Sequence, residues 1–244
     1  MNVSKRNYIQ QRKGNYFLLC DERYFNLLIS NIDNIDSLLE NKKNVFYKND
    51  FGDTTTIAVV PISDYEFVIK RYNVRSFLHF FKNIFRLCYA KKAWRNIIKL
   101  QEIDVPTLTP VAYIEKHIGP FKTKSYLITE YVVDAIRGCD YFAKEEKLKP
   151  EWDKVIANIA ATANKLRSAF IEHCDFQYGN FLIAGNKAIL HDLEHMKFYK
   201  KDSLKFRQAF QRDIDHFLSF VKSNPEAYQR FIAAFNQEIN IASP

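Results

Sequence analysis

A chain of 244 residues can form one large domain or two small lobes, and 47% hydrophobic with 26% charged residues is the composition of an ordinary folded protein. The four cysteines are scattered without a CxxC pair, which argues against a disulfide scaffold and a structural zinc site. The sequence has no apolar stretch of the ~18–20 residues that span a bilayer, and its basic N-terminus lacks the apolar core of a secretory signal. We therefore expect a cytoplasmic protein that meets a membrane only at its surface.

The first half of the chain is predicted to be mainly β. Residues 24–41 carry apolar side chains at helical intervals and predict a helix. Residues 44–72 change to β-branched and aromatic runs separated by turn residues, which predicts three consecutive antiparallel strands. Further strands are expected at 111–115 and 125–132, which gives about five strands in all.

A basic segment, residues 71–101, lies between the third and fourth predicted strands and contains no acidic residue. Aromatic residues alternate with its cations at roughly helical spacing, which predicts a helix over 75–102. The cations are Arg71, Arg75, Lys82, Arg86, Lys91, Lys92, Arg95 and Lys99. The segment is either a solvated helix face or a surface that meets an anionic partner such as phosphorylated lipid. Nucleic acid is not favoured as the partner, because bulky apolar residues share the segment and the sequence shows no nucleic-acid-binding motif.

The second half is predicted to be mainly helical. Residues 151–170 follow a proline and place their apolar side chains on one face, as an amphipathic helix does. Short strands at 180–183 and 188–193 flank a turn, and helical periodicity returns over 203–240.

These elements predict an α+β fold with two lobes. The N-terminal lobe, 1–132, would hold an antiparallel sheet with one main helix. The C-terminal lobe, 133–244, would be mainly helical. A cleft between two lobes is a common place for a ligand.

Most of the suggestive polar residues fall in one stretch, EHCDFQYGNFLIAGNKAILHDLEH (172–195). It could be a metal site, a phosphate-transfer site or a polar hairpin without chemistry. His191 and His195 are four apart, which would suit zinc on a helix. The β-rich run before Asp192 predicts a strand end there, however, and the HExxH order is absent.

Phosphoryl transfer accounts for more of these residues. The reaction needs a carboxylate near the acceptor hydroxyl, oxygen ligands for Mg²⁺ and a cation on the phosphates. Asp175 and Asn180 are separated by four residues, Asp192 follows a short hairpin, and Lys70 ends the apolar strand FVIK. This order of residues and elements is that of the protein-kinase-like fold.

The sequence resembles the bacterial lipopolysaccharide kinases, which phosphorylate Kdo or heptose sugars of the inner core. Their H-G-D-x-x-x-x-N-F-L loop and the following leucine/isoleucine-Asp-Leu-Asp segment are similar to HCDFQYGNFL and ILHDLE. Their R-x-W-x-N…G-I-P-T-P-x-P-x-A…Y-L-x-T-E pattern is similar to AKKAWRNIIKLQEIDVPTLTPVAYIE and SYLITE, and their R-D-x-x-R-F segment to QRDIDHFL. The resemblance covers roughly residues 45–220.

The resemblance implies that the lobe 1–132 binds nucleotide and that the lobe 133–244 carries the catalytic groups. It also implies a role for each matching position. Asp175 would orient and deprotonate the sugar hydroxyl, Asn180 and Asp192 would hold Mg²⁺, Lys70 would hold the α- and β-phosphates of ATP, and Glu130 would lie in the hinge near adenine. Asp213 would brace the catalytic loop by accepting backbone hydrogen bonds, and His173 would be a buried hydrogen-bonding residue of that loop rather than a general base.

The sequence also departs from the family pattern. Cys174 stands where the family usually has Gly, so the loop geometry there could differ. The basic segment contains no Glu that could pair with Lys70, so either Glu102, Glu115 or Asp192 is its partner or the site assembles only with ligand. The predicted nucleotide loop, FGDTTT, has one Gly, and Thr54, Thr55 and Thr56 would supply hydroxyl and N–H contacts instead.

Together these features predict an ATP- and Mg²⁺-dependent carbohydrate kinase that acts on the lipopolysaccharide core or on lipid A–Kdo. It would lie at the cytoplasmic face of the inner membrane and meet anionic lipid through residues 71–101. A pseudokinase-like binding module and a kinase for another small-molecule or protein acceptor remain as alternatives. Trp94 and Trp152 are expected in the core.

Overall fold

The computed structural model of the protein describes residues 7–49, 55–73, 89–142 and 151–239. The chain forms two compact units. The N-terminal unit is Met1–Ile98 with Thr109–Tyr131, and the C-terminal unit is Lys99–Leu108 with Val132–Pro244. The assignment of nucleotide binding to residues 1–132 and catalysis to 133–244 stays a prediction.

The N-terminal unit is built on a seven-stranded antiparallel sheet with the order β1-β2-β6-β7-β5-β4-β3. Its strands are β1 (Tyr8–Lys13), β2 (Tyr16–Asp21), β3 (Val45–Asn49), β4 (Thr55–Ile62), β5 (Tyr65–Asn73), β6 (Pro110–Ile118) and β7 (Phe121–Glu130). The prediction of about five strands was wrong because the hairpin β1–β2 was missed. The last four residues of β1, YIQQRK, are polar, so the segment lacks the apolar alternation that predicts a strand. Gly14, at a φ of 54°, makes the tight turn between the two strands.

Two short helices cover one face of this sheet. They are α1 (Phe25–Asn31) and α2 (Ile35–Leu39), joined by a 3-10 turn. The predicted helix over 24–41 is thus confirmed as a broken helical segment. Leu28 and Leu39 are buried against strand residues such as Ile69, because the apolar stripe of the helices faces the apolar face of the sheet.

The other face of the sheet carries α3 (Tyr89–Glu102). Trp94 is buried here, with its ring 5.0 Å from that of Tyr8 and 5.8 Å from that of Tyr113, which confirms it as a core residue. Tyr113 is in register with Leu127, which is in register with Lys70, so α3 packs on the face that carries Lys70. The predicted helix over 75–102 is confirmed for residues 89–102, and residues 74–88 lie outside the described ranges.

The C-terminal unit is mainly helical, as predicted. Its helices are α4 (Gly138–Phe142), α5 (Glu151–Ser168), α6 (Leu204–Val221) and α7 (Pro225–Ile239). Its strands are β8 (Ile136–Arg137), β9 (Ile171–Glu172), β10 (Phe181–Ala184), β11 (Lys187–Leu190) and β12 (Lys197–Phe198). β10 pairs with β11 and with β8, and β9 pairs with β12. The predicted helix over 151–170 and the predicted hairpin are both confirmed.

Aromatic side chains fill the core of the C-terminal unit. Phe217 lies 4.8 Å from Phe231 between ring centroids, and Trp152 lies 5.1 Å from Phe142. Trp152 is 4% exposed, so its prediction as a core residue is confirmed. No helix in the described ranges combines the length and apolarity needed to cross a membrane.

Candidate functional site

The side chain of Asp175 is fixed by donors from its own loop and from α6. The amide nitrogen of Asn180 donates to Asp175 Oδ2 at 2.9 Å and to the Asp175 carbonyl at 2.8 Å. Gln177 Nε2 donates to Oδ1 at 2.9 Å, and His216 Nε2 lies 3.2 Å from the same oxygen. The carboxylate is nevertheless 38% exposed, so a ligand can reach it.

The number of donors leaves room on one oxygen of Asp175. An ionised carboxylate has about four lone-pair positions, two on each oxygen. In the hydrogen bonds above, Oδ1 has two partners and Oδ2 has one. The second position on Oδ2 is therefore where an acceptor hydroxyl could donate its proton.

Asp213 of α6 binds the backbone of the loop. Its Oδ2 accepts the N–H of His173 at 2.7 Å and that of Cys174 at 3.3 Å. The predicted bracing role of Asp213 is thus confirmed. His173 is fully buried, as predicted, and burial lowers its pKa against the opposing effect of the carboxylates of Asp213, Asp192 and Asp175. A neutral imidazole at this position serves the packing of the loop.

Cys174 stands where the family pattern has Gly, and its backbone is left-handed. Its φ is 72°, in the region that glycine adopts freely and other residues adopt at a cost of about 1–2 kcal/mol. A cysteine therefore holds a conformation here that glycine would adopt without this cost. Burial and the neighbouring Glu172 raise the pKa of Cys174 to about 11, which keeps the side chain a thiol rather than a reactive thiolate.

The hairpin β10–β11 returns the chain to Asn180, as predicted. The N–H of His191 donates to the carbonyl of Asn180 at 3.0 Å, and Asp192 follows at a φ of 65°. Because the amide nitrogen of Asn180 faces Asp175, its Oδ1 points the other way. That oxygen and the carboxylate of Asp192 are ligands of the kind that Mg²⁺ prefers. Within the described ranges, no group of three or more His, Cys, Asp or Glu is placed to hold a metal.

A glycine allows α4 to pack closely on the same loop. A Cβ on Gly138 would lie 2.0 Å from the carbonyl oxygen of Tyr178, which no side chain could tolerate without a backbone shift. Tyr178 begins the 3-10 turn that ends at Asn180. The position of Asn180 thus depends on a close backbone contact as well as on its own hydrogen bonds.

In the N-terminal unit, Lys70 and Thr55 lie on the same face of the sheet. Lys70 pairs with Ile57 and Thr55 pairs with Tyr72, and directly paired residues point to the same side. Lys70 Nζ lies 5.1 Å from the centre of the Tyr72 ring. Thr54 lies outside the described residues.

Glu115, one of the proposed partners of Lys70, contacts Lys122 at 3.0 Å and His117 at 3.2 Å. The partner of Lys70 stays a prediction.

Glu130 directs its side chain to the opposite face from Lys70. It pairs in register with Phe67, and its Oε1 accepts from the hydroxyl of Tyr24 at 3.0 Å and from Arg23 at 3.4 Å. Burial and this hydrogen bond raise the pKa of Tyr24 to about 12. The predicted hinge role of Glu130 would therefore rest on its backbone.

Arg71 does not belong to a basic surface, and this part of the prediction was wrong. Its side chain is 7% exposed and donates to Asp36 at 2.9 Å and to Glu40 at 2.5 Å. The sequence pattern could not show this, because the two acids lie more than 30 residues earlier. On α3, Lys91, Arg95 and Lys99 follow one another at four-residue intervals, and Arg95 and Lys99 are exposed.

Sequence reasoning missed two residues that contact Asp175. Gln177 lies inside the loop and was treated as a spacer. His216 stands at the position of the second Arg in R-D-x-x-R-F, since the chain reads Arg212-Asp213-Ile214-Asp215-His216-Phe217. This His in place of Arg is the feature of the sequence that could have pointed to a role for His216.

The fold and this site define a class of protein. An antiparallel sheet with a strand lysine, a long helix, an Asp-x4-Asn loop and a hairpin that ends at an Asp are the parts of a kinase-like protein. The model of the Lipopolysaccharide kinase (Kdo/WaaP) family matches residues 55–198, more than half of the chain. The chain belongs to this family.

Two curated relatives carry the name lipopolysaccharide core heptose(I) kinase WaaP. The one from Escherichia coli is 29% identical over 97 residues, 38% of this chain and 37% of that protein. The one from Pseudomonas aeruginosa is 24% identical over 107 residues, 42% of this chain and 40% of that protein. The matched region thus spans well under half the length of these relatives.

A solved structure of WaaP in complex with acyl carrier protein has a similar fold. The TM-score is 0.62 at 16% identity, and the match covers 90% of this chain and 88% of that chain. The kinase-like fold predicted from the sequence is confirmed.

Proposed function

We propose that the protein transfers the γ-phosphate of ATP to a sugar hydroxyl of the lipopolysaccharide inner core. The observation that carries the proposal is the open lone-pair position on Oδ2 of an exposed Asp175 whose other positions are held by Asn180, Gln177 and His216. Family membership supplies the reaction class. A heptose is the favoured acceptor over Kdo, because both curated relatives are named heptose kinases.

Asp175 acts as the general base toward the acceptor hydroxyl. Its Oδ2 takes the proton of the sugar hydroxyl while the hydroxyl oxygen forms a bond to the γ-phosphorus and the bond to the bridging oxygen of ADP breaks. Asn180 and Asp192 would hold Mg²⁺, which would neutralise charge on the phosphates. The hydrogen bonds from Asn180 and Gln177 keep the carboxylate in one orientation during the transfer.

ATP would be held mainly by the N-terminal unit. Lys70 contributes a cation to the α- and β-phosphates, and Thr54 and Thr55 contribute hydroxyl and N–H donors. Glu130 contributes backbone groups beside adenine. These assignments rest on the family resemblance and on the shared sheet face of Lys70 and Thr55.

The protein would act at the cytoplasmic face of the inner membrane. The support is the row of cations on α3, Lys91, Arg95 and Lys99, which could contact anionic head groups. Each such cation near an anionic surface contributes on the order of 1 kcal/mol, and added salt weakens the attraction.

The acceptor is tested by mass spectrometry of core oligosaccharide from a strain that lacks the protein. We expect the loss of one phosphate, its return when the wild-type protein is supplied, and fragmentation that places it on a heptose. An unchanged core would reject the proposal.

ATP binding is tested by thermal shift of the purified protein. ATP with Mg²⁺ should raise the melting temperature, because a ligand that binds only the folded state stabilises it. The absence of a shift, together with an unchanged core, would favour a binding module.

A further inference from the structure

His216 of α6 contacts the carboxylate of Asp175 from outside the catalytic loop. Its Nε2 lies 3.2 Å from Asp175 Oδ1, and the two side chains are 45% and 38% exposed. Because Nε2 faces an anionic oxygen, the proton lies on Nε2, which donates to Oδ1. The contact joins α6 directly to the group proposed to receive the acceptor proton.

The same side of α6 holds both the backbone and the side chain of the loop. Asp213 accepts the N–H groups of His173 and Cys174, and His216 follows one helical turn later. Residues three apart on a helix lie on one face. The helix thus positions the backbone of the loop through Asp213 and orients the carboxylate of Asp175 through His216.

The imidazole of His216 is itself held in place. Phe220, one turn further along α6, packs edge to face against it with ring centroids 4.9 Å apart. Tyr178 of the loop lies 6.3 Å from the ring of Phe220, so the aromatic contact reaches back to the loop. Ser219 donates to the carbonyl of His216 at 2.7 Å.

We propose that His216 is a positioning residue of the phosphate transfer, which rotates Asp175 so that its open Oδ2 position faces the acceptor hydroxyl. The inference rests on the proposed function and deepens it. Without His216, Oδ1 would keep only the donor from Gln177, so the carboxylate could turn more freely about its terminal bond and fewer encounters with the hydroxyl would be productive.

A purely structural role makes a different prediction. A hydrogen bond between two half-exposed groups adds little to the stability of the fold, so His216→Ala should melt close to the wild type. If His216 only stabilised the fold, its loss would leave kcat per folded molecule unchanged.

The test compares kcat and KM for three variants with the wild type, using ATP, Mg²⁺ and dephosphorylated lipopolysaccharide core. His216→Ala should lower kcat about tenfold with both KM values within about twofold of the wild type, because orientation rather than binding is lost. His216→Gln, whose amide can donate from a similar position, should restore kcat to at least about half. Gln211→Ala, which loses an exposed contact to Asp215 on the same helix, should match the wild type.

The outcomes separate the inference from the function on which it rests. Transfer by the wild type with an equal kcat in His216→Ala would overturn the inference alone. So would a loss in His216→Ala that Gln does not restore. The absence of transfer by the wild type would overturn the proposed function and the inference together.

Discussion

Two aspartates, one in each unit, are surrounded by donors in different ways. Asp36 of α2 accepts from Arg71 and Tyr126 on Oδ1 and from Lys116 and Lys124 on Oδ2, so all of its lone-pair positions are used. Three of its four donors are cations. Asp175 receives amide and imidazole donors instead and, among the described residues, keeps one position open.

The difference shows what separates a structural carboxylate from one suited to catalysis. Burial raises the pKa of Asp36, but the hydrogen bonds from Lys124, Tyr126 and Arg71 outweigh it and lower the pKa to about 2. Such a group holds its charge and takes no proton near neutral pH. A carboxylate that is to accept a proton from a substrate needs an open position and fewer cations around it.

Among the donors to Asp175, Asn180 should have the largest effect on activity. Asn180→Ala removes the 2.9 Å donor from Oδ2 of Asp175 and the amide oxygen proposed for Mg²⁺. We expect kcat to fall by about 10²–10³-fold, because both orientation and metal binding are lost. Steady-state transfer assays measure this.

Asn158→Ala is the matched control, since its amide donates to the Asn186 carbonyl at 2.7 Å in the same unit, away from Asp175. Equal activities of the two variants would contradict the assignment of Asn180.

Asp36, whose lone-pair positions are all used, should contribute to stability rather than to activity. Asp36→Asn removes the ion pairs that Arg71, Lys116 and Lys124 make with this carboxylate, while Glu40 still pairs with Arg71, and should lower the free energy of unfolding by about 2 kcal/mol at pH 7. Denaturant unfolding measures the change. Asp33→Asn, which loses an exposed ion pair to Lys13, should cost less than about 1 kcal/mol.

The stabilisation by Asp36 should depend on pH in a defined direction. Its pKa is lower in the folded protein than in an unfolded chain, where it is about 4, so its contribution is complete above that value. It is lost as the pH falls from about 4 to about 2. The difference between wild type and Asp36→Asn should therefore shrink over this range, and a constant difference would contradict the role of the charge.

The smallest expected effect concerns the loop beneath Asp175. Cys174→Gly removes the cost of a left-handed backbone and should stabilise the fold by up to about 1 kcal/mol, with kcat within about twofold of the wild type. Thermal unfolding measures this. Cys139→Gly, in α4, should instead destabilise by about 1 kcal/mol. A destabilised Cys174→Gly would show that the thiol contributes more than its backbone costs.

The sequence was informative where a role depends on local order. The spacing from Asp175 to Asn180 and the hairpin before Asp192 follow from motifs in which short chain segments set the geometry. The bracing by Asp213, 40 residues from His173, was predicted from the family resemblance instead. The pattern was misleading where contacts join distant residues. Arg71 looked like part of a basic surface because its partner Asp36 lies 35 residues away.

Two further features were missed for related reasons. The strand β1 has exposed polar residues in place of an apolar alternation, so its pairing with β2 is fixed mainly by the turn at Gly14. His216 contacts Asp175 from 41 residues away, and the sequence signalled it only as a departure from the R-D-x-x-R-F segment.

The central claim is that Asp175 receives the proton of an acceptor sugar during phosphate transfer. It is tested most directly by incubating the wild type and Asp175→Asn with γ-labelled ATP, Mg²⁺ and dephosphorylated lipopolysaccharide core. We expect label in the core with the wild type and a loss of about 10³-fold or more with Asp175→Asn, at an unchanged melting temperature. Equal labelling by the two proteins would contradict the claim.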